Sequence, residues 1–179
     1  MIRTVAWSTG NVGRHAIAGI DAHPELDLIG LWVSNPDKVG QDAGRLAGLD
    51  RDLGVLATGS VDEILALAPD VVVHSAMADH RLFEALADLE RLLRAGINVV
   101  SSGPVFLQYP SGDAAPMAEG VRKAAVDGGA SLFVNGIDPG FANDALALAV
   151  TGISERIEQV RCMEICNYAT YDQAMIVFD

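Results

Sequence analysis

Val5-Ala6-Trp7-Ser8-Thr9-Gly10-Asn11-Val12-Gly13 is the stretch on which the fold turns. An apolar strand pattern runs into a turn of small residues, and a helix pattern opens at once behind it. The spacing matches the second and third glycines of the dinucleotide fingerprint G-x-G-x-x-G at Gly10 and Gly13, with Ser8 standing in place of the first. Physics accounts for the residue types. Gly10 lets the backbone approach a pyrophosphate, and Gly13 lets helix and strand pack closely. The free N–H groups of the helix start, at the positive end of its dipole, then hold the anion. Ser8, Thr9, Gly10, Asn11, Val12 and Gly13 are the expected phosphate cradle. A side chain at either glycine is expected to block a dinucleotide and leave the domain folded. The plainer alternative is an ordinary glycine turn in an α/β domain that binds nothing.

Outward from this loop, short apolar runs alternate with helical patterns. Strands are predicted over residues 3–7, 26–33, 55–57, 70–74, 98–101 and 131–134, each apolar and closed by small or polar residues, as buried parallel strands read. Helices are predicted over 12–22, 61–68, 80–95 and 115–127. In the first of these Val12, Ala16, Ile17 and Ile20 share a face. Ser60 and Glu63 form a capping box ahead of the second, and the third carries Leu82, Phe83, Leu86, Leu89, Leu92 and Leu93. Such alternation predicts an α/β fold, a doubly wound parallel Rossmann sheet spanning residues 1–140. Composition changes after Gly140. A helix over 141–153 and a strand over 157–168 are expected to connect to and begin a second α+β domain for substrate and dimerisation, in residues 141–179. The chain ends in another apolar run, Val177-Phe178-Asp179, which predicts that this second domain is cut short.

The balance of residues sets limits on partners. With 179 residues, half of them hydrophobic and 20% charged, the chain can bury a sizeable core and is too apolar for a disordered one. A net charge of −12 argues against nucleic acid, because no basic stripe is present to follow phosphates. It leaves room for a phosphorylated cofactor, which one helix start and one or two cations can hold. Cys162 and Cys166 offer no metal-ligand set and read as buried thiols of a reducing cytoplasm. The first strand begins at Ile2, leaving no room for a signal peptide, and no apolar run reaches the roughly 20 residues of a membrane span. A cytoplasmic protein without a metal is expected.

The tip of the second strand bears on the choice of cofactor. NAD-preferring folds place an Asp or Glu there to hold the ribose 2′-hydroxyl. Here the position is Ser34, followed by Asn35, Pro36, Asp37 and Lys38. Ser34, Asn35 and Lys38 suit a 2′-phosphate better than a carboxylate would, so NADP is expected, with NAD possible through Asp37. Ligands of open α/β sheets bind outside the carboxyl ends of the strands. Ser75 and Ala76 after the fourth strand, and Ser101 and Gly103 after the fifth, would let the nicotinamide ribose lie against backbone. The alternative is that these small residues simply close strands.

Three motifs now stand in order: residues 5–14, residues 34–44 (Ser34-Asn35-Pro36-Asp37-Lys38-Val39-Gly40-Gln41-Asp42-Ala43-Gly44), and Gly136-Ile137-Asp138-Pro139-Gly140-Phe141-Ala142-Asn143-Asp144. Together they resemble the dihydrodipicolinate-reductase-like NAD(P)-dependent oxidoreductases, in the group of 2,4-diaminopentanoate dehydrogenase and the native amine dehydrogenases. The resemblance runs from the start to about Tyr171. It implies a two-domain homodimer of roughly twice this length and reversible oxidative deamination of an amine to a carbonyl compound and ammonia. It also implies a catalytic glutamate in the loop after the fifth strand. Residues 101–110 of this chain, Ser-Ser-Gly-Pro-Val-Phe-Leu-Gln-Tyr-Pro, contain no acid, and Val105 or Phe106 stands in the glutamate's place.

The residues left for acid–base work are few. Asp138, Glu164, Tyr168 and Tyr171 are the candidates, with a turn-forming role the alternative for Asp138 and a capping role expected of Asn143 and Asp144. His74 reads as a residue of the sheet rather than a proton carrier. Two functions follow from this reading. One is an oxidoreductase transferring hydride to a small carbonyl or imine, or from an amine; the other is a dinucleotide-binding protein or redox sensor of the same fold without turnover.

Overall fold

The computed structural model describes residues 1–78, 81–165 and 167. Two compact units divide the chain, Met1–Gly136 and Ile137–Asp179. In the first, six apolar runs pair into one parallel sheet: β1 (Ile2–Trp7), β2 (Leu26–Trp32), β3 (Ala57–Thr58), β4 (Val71–His74), β5 (Asn98–Ser101) and β6 (Leu132–Val134). Their order is β3-β2-β1-β4-β5-β6. The chain therefore steps outward from β1 to β3, returns to lay β4 on the other side of β1, and steps outward again. The carboxyl ends of β1 and β4 flank the point where the order reverses, and there such sheets open a binding crevice.

The helices cover the sheet from both faces because each strand presents apolar residues to both. Helix α1 (Asn11–Ala22) and the short α2 (Ala43–Ala47) cover one face, burying Ile17, Ile20 and Ala43 against Ala6, Leu31 and Val33. Helices α3 (Val61–Ala66), α4 (Leu82–Arg94) and α5 (Ala115–Gly128) cover the other, where Ile64, Leu89, Leu93 and Val121 pack on Val5, Val72 and Val99. This is the doubly wound α/β fold expected from the alternation. Details differ from the pattern reading. Val12 and Phe83 are exposed, because each falls off the buried stripe of its helix. The third strand is 57–58 rather than 55–57, since only Ala57 and Thr58 find register with Leu31 and Trp32. Ser60 caps α3 by accepting from the Glu63 N–H, but the Glu63 carboxylate is taken by the Thr58 hydroxyl, so the capping box is half made.

The last residues of the strands form one row across the sheet. Thr58 pairs with Trp32, Trp32 with Trp7, Trp7 with His74, His74 with Ser101 and Ser101 with Val134. The indoles of Trp7 and Trp32 stack with ring centres 4.4 Å apart. His74 and Ser101 continue the row fully buried.

The second unit holds a π-helical turn, Phe141–Ala145, and helix α6 (Leu146–Thr151), within the helix expected over 141–153. The strand expected over 157–168 is not formed in residues 157–165. Its imperfect alternation leaves Ile157, Val160, Met163 and Ile165 exposed, and a strand without a paired neighbour has no ladder to hold it. Cys162, expected to be buried, is exposed for the same reason. Cys166, Tyr168, Tyr171 and the run 177–179 lie outside the described residues.

Burying His74 couples this row to pH. Desolvation, aided by the charge of Arg81, pushes the imidazole from 6.5 down to about 4, while a backbone hydrogen bond opposes the shift. The unfolded chain then takes up a proton through the window from 6.5 to 4 while the folded chain does not. Stability from this group is full above the window and falls as pH drops through it, by roughly 3 kcal/mol in all. Urea unfolding at pH values across the window should show this loss, and it should be absent from the same series on His74→Asn.

Candidate functional site

The turn after β1 is shaped by two contacts of Ser8. Its backbone N–H donates to the Trp32 carbonyl at 2.8 Å, which holds the turn against β2. Its φ is +93°, a left-handed value that glycine adopts freely and an L-residue adopts at a cost. Ser8 thus performs the conformational role of the fingerprint's missing first glycine. Its Oγ lies 3.4 Å from the Gly10 N–H, a long contact across the turn. Helix α1 then starts at Asn11 without a side-chain cap on Gly10, leaving the helix-start N–H groups open to an anion. Asn11 and Val12 are exposed at this start, and the Asn11 side chain accepts from Arg14 at 3.1 Å.

The tip of β2 reaches back to the same loop. Asn35 is exposed, and its Oδ1 accepts from the Asp37 N–H at 2.9 Å, closing the turn Pro36–Lys38. That turn aims Lys38, whose Nζ donates to Thr9 Oγ1 at 2.9 Å. Thr9 is buried and Lys38 half-buried, so the ammonium is tethered beside the glycine loop instead of free in solvent. Ser34 is exposed at the strand tip. The structure brings Ser34, Asn35 and Lys38 to one end of the loop. No sequence spacing shows the Lys38–Thr9 contact, because the partners are 29 residues apart.

On the other side of the crevice the expected residues divide. Ser75 is half-buried, with its N–H and Oγ each donating to the Trp7 carbonyl at 3.1 Å, which ties the end of β4 to that of β1. Ala76 is buried in the core beneath α4 and offers its backbone alone. Ser101 also turns inward. Its Oγ lies 3.0 Å from His74 Nδ1 and 3.2 Å from the His74 carbonyl, and it also contacts the Gly103 carbonyl and N–H. Among the described residues, His74 Nε2 and Trp7 Nε1 are buried nitrogens without a hydrogen-bond partner. The pattern reading missed the His74–Ser101 pair. Its available signal was a polar residue closing each of two adjacent valine-rich strands, Val71–His74 and Asn98–Ser101.

The acid–base candidates lie in the second unit. Asp138 and Glu164 are hydrogen-bonded to each other, and that contact is the main cause that holds the Asp138 carboxyl above its usual range. Asn143 donates to Asp138 and accepts from the Gly140 N–H at 2.9 Å, the capping role expected of it. These three residues line a cavity with Ile137, Ala142, Cys162, Met163 and Ile165. Tyr168 and Tyr171 lie outside the described residues. The loop after β5 forms the turn Val105–Gln108, whose side chains include no acid. Among the described residues no cluster of three or more His, Cys, Asp or Glu is placed to hold a metal ion. No helix among them is long and apolar enough to cross a membrane.

The two glycines differ in what a side chain would meet. A Cβ on Gly13 would stand 2.2 Å from the Ser8 carbonyl oxygen, so it must part α1 from β1. A Cβ on Gly10 meets nothing nearer than Ser8 Oγ at 3.8 Å. The expectation that both variants stay folded therefore holds for Gly10 alone. Gly13→Val should lower stability by about 3 kcal/mol, the cost of overpacking a close contact. Gly10→Val should leave the melting transition nearly unchanged and abolish dinucleotide binding by titration calorimetry.

No family model matches the chain. It is 48% identical to an amine dehydrogenase of Streptomyces virginiae over 174 residues, covering 97% of this chain and 48% of that one. A 2,4-diaminopentanoate dehydrogenase of Acetoanaerobium sticklandii is 25% identical over 122 residues, 68% of this chain and 34% of that one. Among solved structures, the amine dehydrogenase of Mycobacterium smegmatis superposes with a TM-score of 0.72 at 29% identity, over 87% of this chain and 45% of that one. The chain spans about half the length, or less, of these relatives. The resemblance carried by the three motifs is borne out: these relatives and this solved structure that match the chain are amine dehydrogenases and a 2,4-diaminopentanoate dehydrogenase.

Proposed function

We infer that this chain supplies the nucleotide-binding domain of an NAD(P)-dependent oxidoreductase that interconverts a small amine and its carbonyl or imine. The uncapped start of α1 at the reversal point of the sheet carries the inference. It offers N–H groups and a helix dipole to a pyrophosphate, where this sheet order binds dinucleotides. The bound nicotinamide would accept or donate the hydride. Residues 1–140 would hold the cofactor, and those beyond would open a domain for substrate and dimerisation. The resemblance supports a homodimer.

For proton transfer the chain offers the Asp138–Glu164 pair in place of an acid on the β5 loop. The hydrogen bond with Glu164 holds the Asp138 carboxyl above its usual range, which makes Asp138 the better proton donor of the two. A second reading rests on the same loop: without an acid at residues 101–110, the protein binds cofactor and turns nothing over. A panel of small amines and carbonyls, followed by the absorbance of the reduced cofactor on protein including any continuation beyond Asp179, separates the two. Turnover abolished by Asp138→Asn supports the first. Activity that arises only on Val105→Glu or Phe106→Glu establishes the second.

The tethered Lys38 favours NADP over NAD. A charge-assisted contact to the 2′-phosphate contributes roughly 1.5–3 kcal/mol, and partial exposure reduces it. Lys38→Ala should weaken NADPH binding about tenfold by calorimetry and leave NADH binding nearly unchanged. Ser34→Asp, which places a carboxylate at the strand tip, should reverse the preference.

A further inference from the structure

The sheet has two halves, and the glycine loop and the β2 tip belong to the first. A dinucleotide lies across the crevice, one nucleotide on each half. With the glycine loop and the β2 tip taking the adenosine side, the nicotinamide side falls to the ends of β4 and β5. The loop leaving β5 is held there by an internal clamp. Ser101 Oγ reaches forward to both the N–H and the carbonyl of Gly103, and back to the His74 ring at 3.0 Å. Both side chains are only 1% exposed, so neither can touch a ligand itself. With the Ser101 hydroxyl donating to a carbonyl of Gly103 or His74, the ring donates from Nδ1, and its buried, unpartnered Nε2 is the bare nitrogen of a neutral imidazole. Burial and the charge of Arg81, the charged group acting on the ring, keep it neutral near pH 7.

We propose that His74, acting through Ser101, is a positioning residue for the nicotinamide end of the cofactor: the pair fixes the backbone of residues 101–103 on which that end rests. The proposal builds on the dinucleotide reading above. A hydroxyl with this many partners inside one short turn leaves the turn little freedom, and a ligand that meets a pre-ordered turn loses less entropy on binding. Removing either partner frees the turn, while the glycine loop keeps its own hold on β2 through the Ser8 N–H and the Trp32 carbonyl.

The test uses the 179-residue chain and two probes. NADPH spans both halves, whereas 2′-phospho-ADP-ribose carries the adenosine, the pyrophosphate and the second ribose but no nicotinamide ring, so the pair isolates the ring's own contacts; NADH and ADP-ribose run in parallel. Ser101→Ala and His74→Phe are each expected to weaken NADPH binding about tenfold and to leave 2′-phospho-ADP-ribose within twofold of the unmodified protein. A purely structural pair would lower the melting temperature and shift both probes together, or neither, and that result overturns the proposal. Nitrogen NMR of the unmodified protein removes the dependence on a folded variant. The His74 signals should report a proton on Nδ1 and should move on adding NADPH but not on adding 2′-phospho-ADP-ribose. Signals that ignore NADPH, or move equally with both probes, overturn it as well. If the unmodified chain binds neither probe, the dinucleotide reading itself falls and the positioning role with it. Binding of 2′-phospho-ADP-ribose with unselective variants leaves the cofactor reading standing and removes only this inference.

Discussion

The stacked indoles of Trp7 and Trp32 set the level at which the strands end. They are the last residues of β1 and β2, they are directly in register, and both are buried. A slip of either strand by one residue would send its indole to the opposite face, so the stack fixes register as well as contributing area. His74 and Ser101 inherit that level through the next two pairings. Each loop then leaves the sheet by donating its first N–H to a neighbouring strand-end carbonyl: Ser8 to Trp32, Ser75 to Trp7, Ser102 to His74 and Asn135 to Ser101. The loops therefore leave the sheet at one level of register, and at the reversal point between β1 and β4 sheets of this order open a binding crevice.

Where residues act locally, the sequence was legible. The apolar runs, their small closing residues and the spacing of Gly10 and Gly13 each report on neighbours a few positions away, and they led to the doubly wound sheet. Ser8 shows the limit of that reading. Its positive φ is set by the Trp32 carbonyl and the packing of Gly13, neither of which a turn rule contains. The Lys38–Thr9 and His74–Ser101 contacts join residues 29 and 27 positions apart. Those separations become contacts only after β1, β2, β4 and β5 have paired. Over the described residues 157–165 the expected strand is not formed, for a related reason. Alternation states which face a strand would bury, and it cannot supply the neighbour that the strand needs.

The same division separates binding from chemistry in this protein. The elements that would hold a dinucleotide belong to the first unit and rest on a core with Trp7, Leu89, Leu92 and Leu93 fully buried. The carboxyl groups proposed for proton transfer, Asp138 and Glu164, lie in the second unit, exposed and in contact with each other. A nucleotide fold can be specified by short-range glycine and strand patterns because its ligand is bound chiefly by backbone. A proton-transfer site needs side chains from separate segments at one point, and a motif carries less of that information. The acid-free loop after β5 illustrates the difference. The fold and the phosphate loop persist around it, while the assignment of acid and base has to be made anew from three-dimensional contacts.

A net charge of −12 sets a final constraint on the proposed binding of an anionic cofactor. At physiological ionic strength exposed charges are screened beyond about 8 Å, so the distant carboxylates of the surface weigh little at the loop. What matters there is the charge within that radius and the freedom of its carriers. Lys38 is half-buried and held by Thr9, and Arg14 is bonded to Asn11 on the first turn of α1. Both cations are thereby restrained near the positive end of the helix dipole before any ligand arrives. The acidic surface and the anion site are compatible because one acts through long-range fields that salt removes. The other acts through short contacts that salt screens poorly. Loss of the Thr9 hydroxyl would free the Lys38 ammonium toward solvent, where its attraction for a 2′-phosphate falls to that of an ordinary surface charge. On the proposed reading, cofactor choice would depend on a hydroxyl that need not touch the cofactor's ribose at all.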